Sequence, residues 1–199
     1  MSRHYNQIQD FFTSLENSNF ERHDTAMDIN HGLLVYSLLL SHKPENILEL
    51  GIGTGYTSKA IVSAIKYNKM GKSTHVDSVD LWPPVGEAIQ ELRPILTEGS
   101  QIIIDTEEHF VNNCPENQYD FVLSDADHIN AHTWFDKMLF LTKPDGILIF
   151  HDVTHFSYPN LFFLVEETKR LGLPHFVFNK NSKENEFCDR GLLVIRNVK

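Results

Sequence analysis

From Ile47 onward the chain alternates short aliphatic, β-branched runs with longer amphipathic stretches, and this alternation restricts the fold more than any other feature. Ile47 to Leu50 predicts a strand, Thr57 to Tyr67 a helix, His75 to Leu81 a strand and Val85 to Leu96 a helix. Gln101 to Asp105 and Tyr119 to Ser124 read as strands, Ile129 to Leu141 as a helix, Gly146 to Val153 as a strand and Leu161 to Leu171 as a helix. Strands separated by helices pair in parallel, since a parallel neighbour needs a crossover, and the crossovers cover both sheet faces. His175 to Phe178 and Leu192 to Ile195 have only the polar stretch Asn179 to Arg190 between them, which predicts an antiparallel hairpin at one edge. The expected class is α/β, with a seven-stranded, mostly parallel sheet.

Ahead of this alternation, His31 to Ser41 predicts a helix with a wide apolar face, stopped by Pro44. Residues 1 to about 30 carry Ile8, Phe11, Phe12, Leu15 and Phe20 at roughly helical spacing, the pattern of a helical or lid segment. No repeat or low-complexity stretch divides the 199 residues, so residues 1–199 are expected to form one domain. A formal charge of -10, with no basic run beyond Lys169-Arg170, argues against a nucleic-acid partner. The longest apolar run, near Gly32 to Leu40, is too short to span a bilayer and carries no signal pattern, so no membrane partner is expected. Two cysteines, Cys114 and Cys188, fit a reducing compartment, and the expected location is cytoplasmic.

Gly51, Gly53 and Gly55 stand where a strand hands over to a helix, a place that demands a tight turn and close backbone approach to a ligand. A dinucleotide fingerprint would need glycine at position 56, where the chain has Tyr56. A carboxylate closing the next strand, Asp80, is placed to accept two ribose hydroxyls. The spacing G-x-G-x-G preceded by Glu49 resembles the first motif of class I S-adenosylmethionine-dependent methyltransferases. That resemblance implies a Rossmann-like sheet and S-adenosylmethionine as cofactor. It also implies Glu49 beside the amino-acid end of the cofactor, with Gly51, Gly53, Gly55 and Tyr56 beneath it. The adenine would be framed by Leu81-Trp82 and Asp105-Thr106, although an aromatic after a strand, such as Trp82, is as often simple packing.

A second constellation lies at two further strand ends. Tyr119 to Ser124 runs into Asp125, Asp127 and His128, and Gly146 to Phe150 runs into His151-Asp152. Open α/β sheets place ligands at such carboxyl ends, and carboxylates from adjacent strands suit magnesium. Such a cation would lower a hydroxyl pKa, and His128 is the natural base by its ordinary titration range. His128/His132 and His151/His155 are spaced for zinc, but the aspartates fit an oxygen site better. Asp127 reads equally well as the N-cap of the next helix.

The cluster resembles the group that includes catechol, caffeoyl-CoA and macrolide-sugar O-methyltransferases, over roughly residues 30 to 155. The resemblance implies Asp125 and Asp152 as metal ligands, Asp125 also beside the cofactor, and His128 as the base of the sugar-modifying branch. The catechol and caffeoyl branch has Lys where His128 stands and Asn where Val153 stands, so a third ligand stays open. The implied partner is a small hydroxylated acceptor, sugar-like or phenolic, with a homodimer as one assembly open to the chain. A non-catalytic S-adenosylmethionine-binding regulator of the same fold would have no use for Asp125, His128 and Asp152. Lid residues are expected from the N-terminal segment, from Thr154 to Pro159 and from the Asn179 to Arg190 tip.

Overall fold

The computed structural model describes residues 29–53, 55–68, 74–81, 100–155, 157–178 and 190–198. Among these residues five α-helices and seven strands follow one another: α1 (Ile29–His42), β1 (Asn46–Leu50), α2 (Tyr56–Asn68), β2 (His75–Asp80), β3 (Gln101–Ile104), α3 (Glu107–Asn113), β4 (Tyr119–Ser124), α4 (Phe135–Leu141), β5 (Thr142–His151), α5 (Phe162–Arg170), β6 (His175–Phe178) and β7 (Leu192–Arg196). Short 3-10 turns, Ala131–Trp134 and Pro159–Leu161, lead into α4 and α5. The predicted helix Val85 to Leu96, Trp82, the segment before Ile29 and the 179–189 loop lie outside the described residues.

The strands form one sheet in the order β3-β2-β1-β4-β5-β7-β6. Its first five strands are parallel, and β7 runs antiparallel to both neighbours, inserted between β5 and β6. The expected terminal pair is therefore present, with its second strand on the inside. Side chains alternate between faces, as the strand period of two requires. Leu48, Leu50, Val122, Leu148 and Phe150 pack with Val111 of α3, Met138 of α4 and Leu164 of α5. Ile47, Phe121, Leu123 and Ile149 pack with Val35 and Leu39 of α1 and Ala60 and Ile61 of α2. Phe121 and Phe150 are fully buried, one on each face, and loss of either ring would cost about 3–5 kcal/mol.

Three elements differ from the sequence expectation. β5 begins at Thr142 rather than Gly146, because the pairing steps from Tyr119↔Thr142 to Phe121↔Ile147 and the chain bulges around Asp145 (φ 65). The helix expected from Ile129 is split, its first turn being 3-10 before α4. Helix α3 was not anticipated: Thr106 caps it, its hydroxyl accepting from His109 N at 3.1 Å, and two acids occupy its first turn.

Chain order reverses across the sheet between β1 and β4, where crevices open at the carboxyl ends of the strands. The ladder continues one residue past each strand there, with Gly51 N donating to Val79 O and Asp125 N to Leu50 O, both at 2.8 Å. The glycine turn and the Asp125 segment are thereby held side by side.

Candidate functional site

One cleft of about 540 Å³ opens at this reversal, lined by the glycine turn, the ends of β2 and β3, the 125–129 segment and Tyr158. Its volume falls within the range of sites that enclose a drug-sized ligand. At its near end Gly51, Gly53 and Gly55 adopt φ 94, 50 and 80. At Gly51 the requirement is twofold, since a Cβ there would lie 2.3 Å from the carbonyl oxygen of Asp125.

Asp80 lies on the cleft wall and its Oδ2 accepts from Ile52 N at 2.8 Å and Gly53 N at 2.9 Å. The carboxylate expected to serve a ribose thus also organises the glycine turn. Tyr56, Leu81, Asp105, Thr106 and Asp125, all expected near a cofactor, line the same cleft. Asp105 is tied to its own turn, accepting from Thr106 N at 2.8 Å and pairing with His109 Nδ1 at 2.7 Å.

Glu49 sits beneath the glycine turn. Strand alternation puts it on the face of Ile47, fully buried, where Ser58 Oγ donates at 2.8 Å and Ser78 Oγ at 2.7 Å. It does not line the cleft and supports the turn from beneath. Burial, with the charges of Asp125 and Asp80, outweighs the two serines and pushes its carboxyl up to about 7. Gly55 also lies outside the lining, its N–H closing the turn on Ile52 O at 2.7 Å.

A buried acid absent from the sequence reading, Glu107, forms part of the cleft floor. Ser124 Oγ donates to it at 2.6 Å and Asp127 N at 2.7 Å, and burial pushes its carboxyl up to about 7. The acid directly after the Thr106 cap was the available signal. Asp127 behaves as a cap: its Oδ1 accepts from Ile129 N at 3.0 Å and Asn130 N at 2.9 Å.

At the far end Asp125, His128, His151 and Asp152 converge, with one donor atom of each within 4.8 Å of the others. Asp125 Oδ1 lies 2.8 Å from His151 Nδ1 and 3.2 Å from His128 Nε2. Asp152 Oδ2 lies 3.1 Å from His128 Nε2, and its Oδ1 is 3.4 Å from His151 Nδ1 and 3.9 Å from Arg190 Nε. Oδ1 of Asp152 is buried and accepts no hydrogen bond, and the residue lies in the left-handed region at φ 60, which aspartate tolerates better than most side chains. An orphaned carboxylate oxygen facing further donors fits a cation site. Val153 is fully buried in the core and offers no ligand. His132 and His155 are not members of the cluster, so neither zinc spacing within a turn is realised.

The charges here are mutually dependent. Burial opposes ionisation of Asp125, but His151 and His128 outweigh it and hold its carboxyl well below the usual range. Burial likewise opposes a charged His128, yet Asp125 and Asp152 raise its imidazolium to about 10. The ordinary titration range that recommended His128 as a base therefore does not apply while both carboxylates bind it. Its ring is stacked on Tyr158, with centroids 4.6 Å apart. His151 is raised in the same sense by Asp125, against its burial.

Residues 48–153, more than half of the chain, match the family model described as a methyltransferase domain. The chain belongs to that methyltransferase-domain family. A caffeoyl-CoA O-methyltransferase of Stellaria longipes is 27% identical over 123 residues, covering 60% of this chain and 50% of that protein. The match thus spans about half the length of this curated relative. Among solved structures, an O-methyltransferase of Streptomyces achromogenes involved in tomaymycin synthesis, in complex with SAM, is similar with TM-score 0.68 and 14% identity, over 99% of this chain and 91% of that one. An O-methyltransferase of Bacillus cereus in complex with SAH gives TM-score 0.63 at 14% identity, over 96% and 90% of the two chains. At such identities these structures speak for the fold of the methyltransferase-domain chain.

Proposed function

We propose that this methyltransferase-domain protein transfers a methyl group from S-adenosylmethionine to a hydroxyl of a small molecule, sugar-like or phenolic, with the help of a divalent cation. The observation that supports this reading is the single cleft that joins the glycine turn and Asp80 to Asp125 and His128. Donor and acceptor ends of a transfer reaction need to share one enclosure, because holding the reactants in line is the main catalytic resource.

In this reading the turn at Gly51 and Gly53, Asp80 and the Asp105-Thr106 corner hold the donor, with Leu81 and Trp82 at its base. Asp125 and Asp152 hold the cation, magnesium being the choice for oxygen ligands. When bound, it supplies Lewis acidity that eases deprotonation of an acceptor hydroxyl. His128, which lines the cleft and stacks on Tyr158, handles the acceptor proton. To act as a base it must first shed the proton that Asp125 and Asp152 hold on it. The acceptor is a small molecule rather than nucleic acid, in keeping with the charge of -10. No helix among the described residues is long and apolar enough to cross a membrane, and the proposed location is cytoplasmic. The proposed assembly, a homodimer, is open to light scattering.

Calorimetry with S-adenosylhomocysteine and NAD tests the cofactor, and labelled S-adenosylmethionine with catechols, sugars and nucleosides tests the acceptor. Binding of S-adenosylhomocysteine with label transfer to a hydroxylated acceptor is the expected result. Tight NAD binding without S-adenosylhomocysteine binding would sink the proposal, and cofactor binding without transfer to any acceptor would leave a regulatory protein.

A further inference from the structure

The cation reading above leaves its ligand set incomplete, with two aspartates and a valine at the third position. We infer that His151 is the missing ligand, that His31 fixes its ring, and that the resulting site prefers a borderline transition ion over magnesium. This inference rests on the proposed cation site and extends it.

The geometry carries the argument. His151 ends β5 on the sheet face that looks toward α1, where it is enclosed, its side chain 0% exposed. Its Nδ1 nevertheless turns to the two carboxylates, 2.8 Å from Asp125 and 3.4 Å from Asp152. Neighbouring donors around a first-row cation with bonds of about 2.1 Å lie roughly 3.0–3.4 Å apart, so the edges seen here need only small adjustments. The Asp152 oxygen that faces this nitrogen is the buried one that accepts no hydrogen bond, in a side chain 4% exposed. Asp125 and His128, at 16% and 24%, form the more open side. His151 and Asp152 therefore form the enclosed side, and Asp125 links them to His128, which lines the cleft.

The opposite ring nitrogen is also provided for. His151 Nε2 lies 3.1 Å from His31 Nδ1 on α1, and the His31 ring stands edge-on to His151 at 5.2 Å between centroids. Metal-bound imidazoles characteristically engage a partner through their second nitrogen, which fixes tautomer and orientation. A cation at Nδ1 leaves the proton of His151 on Nε2, where His31 Nδ1 accepts it. The Phe178 ring lies edge-on to His31 at 5.6 Å and limits its freedom. His31 is a positioning residue here, lying outside the 48–153 family match.

An imidazole changes the selectivity. Magnesium favours an oxygen shell with several waters, whereas manganese, iron, cobalt and zinc accept mixed nitrogen and oxygen donors and gain from the imidazole. The test uses full-length protein stripped with chelator and dialysed, then titrated with Co²⁺, Zn²⁺ or Mg²⁺ alone, by calorimetry and by the visible bands of Co²⁺. The expected result is tighter binding of Co²⁺ and Zn²⁺ than of Mg²⁺, with Co²⁺ bands that change in His151→Gln. That variant should lose more Co²⁺ affinity than the roughly 10–100-fold expected for loss of an outer partner, while its Mg²⁺ affinity moves less. His31→Gln, whose change lies outside the ligand set, should weaken Co²⁺ about 10–100-fold and leave S-adenosylhomocysteine affinity unchanged, which decides the matter if His151→Gln fails to fold. Equal affinity for Mg²⁺ and Co²⁺, unaltered cobalt bands in His151→Gln, unaltered Co²⁺ affinity in His31→Gln, or no metal binding would each overturn the inference. S-adenosylhomocysteine binding in the same samples separates the failures: retained cofactor and Mg²⁺ binding without a preference for Co²⁺ sinks this inference alone, whereas loss of S-adenosylhomocysteine binding sinks the function proposed above.

Discussion

Replacing Glu49 by glutamine should stabilise the protein increasingly as pH rises from 5 to 8. The carboxyl is fully buried beneath the glycine turn and is raised from 4.5 to about 7 by that burial, against the pull of Ser78 and Ser58. Between these values the folded carboxyl keeps a proton that the unfolded chain has released. The stability it contributes is therefore complete below 4.5 and is lost as pH climbs through 7. Each pH unit of that interval is worth about 1.4 kcal/mol, so ionised Glu49 costs the fold about 3 kcal/mol by pH 8. Glutamine resembles the protonated acid in shape and does not titrate. Its amide group can donate where Oε2 accepted, with the Ser78 hydroxyl, 2.7 Å away, turning to accept. The assay is urea unfolding followed by circular dichroism at pH 5, 6, 7 and 8 for both proteins. The difference in unfolding free energy, variant minus parent, should grow by roughly 2–3 kcal/mol across the series, whatever its value at pH 5. Taking this difference cancels the titration of groups common to both, including His128. A difference that stays constant with pH would refute the reasoning, since Glu49 would then ionise as it does in the unfolded chain.

Gly51→Ala forces a Cβ to 2.3 Å from the Asp125 carbonyl at φ 94, and strain of about 1–3 kcal/mol or more should lower the melting temperature and weaken S-adenosylhomocysteine binding at least tenfold. Asp80→Ala removes the acceptor for Ile52 N and Gly53 N and should loosen the turn, with a similar loss in calorimetry; unchanged affinity would exclude Asp80 from the cofactor end. Asp152→Ala, or added chelator, should abolish label transfer and spare S-adenosylhomocysteine binding, so chelator-insensitive turnover would dismiss the cation.

The sheet was readable in the sequence because most of its parallel strands hold a compact apolar run, with the β-branched Val76 and Val79 marking β2, and the ends of β1, β4 and β5 carry glycines or charges directly after that run. Helix α3 escaped because its seven residues bury just one aliphatic side chain, Val111, leaving no periodicity; its signature is the Thr106 cap and the acids that follow. The early start of β5 was hidden because Lys143-Pro144-Asp145-Gly146 has the composition of a turn, whereas it forms a bulge paired at Thr142. The burial of Glu49 was available from alternation, since Ile47 and Glu49 share a face of β1. The gathering of Asp125, His128, His151 and Asp152 was legible as a set of strand ends. The partner of His151 was not, because His31 lies 120 residues earlier on α1, and only tertiary packing brings the rings together.

The close approach of Gly51 to Asp125 divides the molecule into a part open to change and a part that is not. What would grip a nucleotide-like ligand descends from β1, β2 and β3, while the carboxylates and the Tyr158 wall descend from β4 and β5. The halves meet through main chain at a seam where a single additional carbon has no space. On the function proposed above, substitutions around Tyr158 would retune the acceptor while the main-chain seam keeps the donor end in place. The offset between the two ends is written in the backbone, so descendants of this chain could diversify in ligand while inheriting one fixed reach.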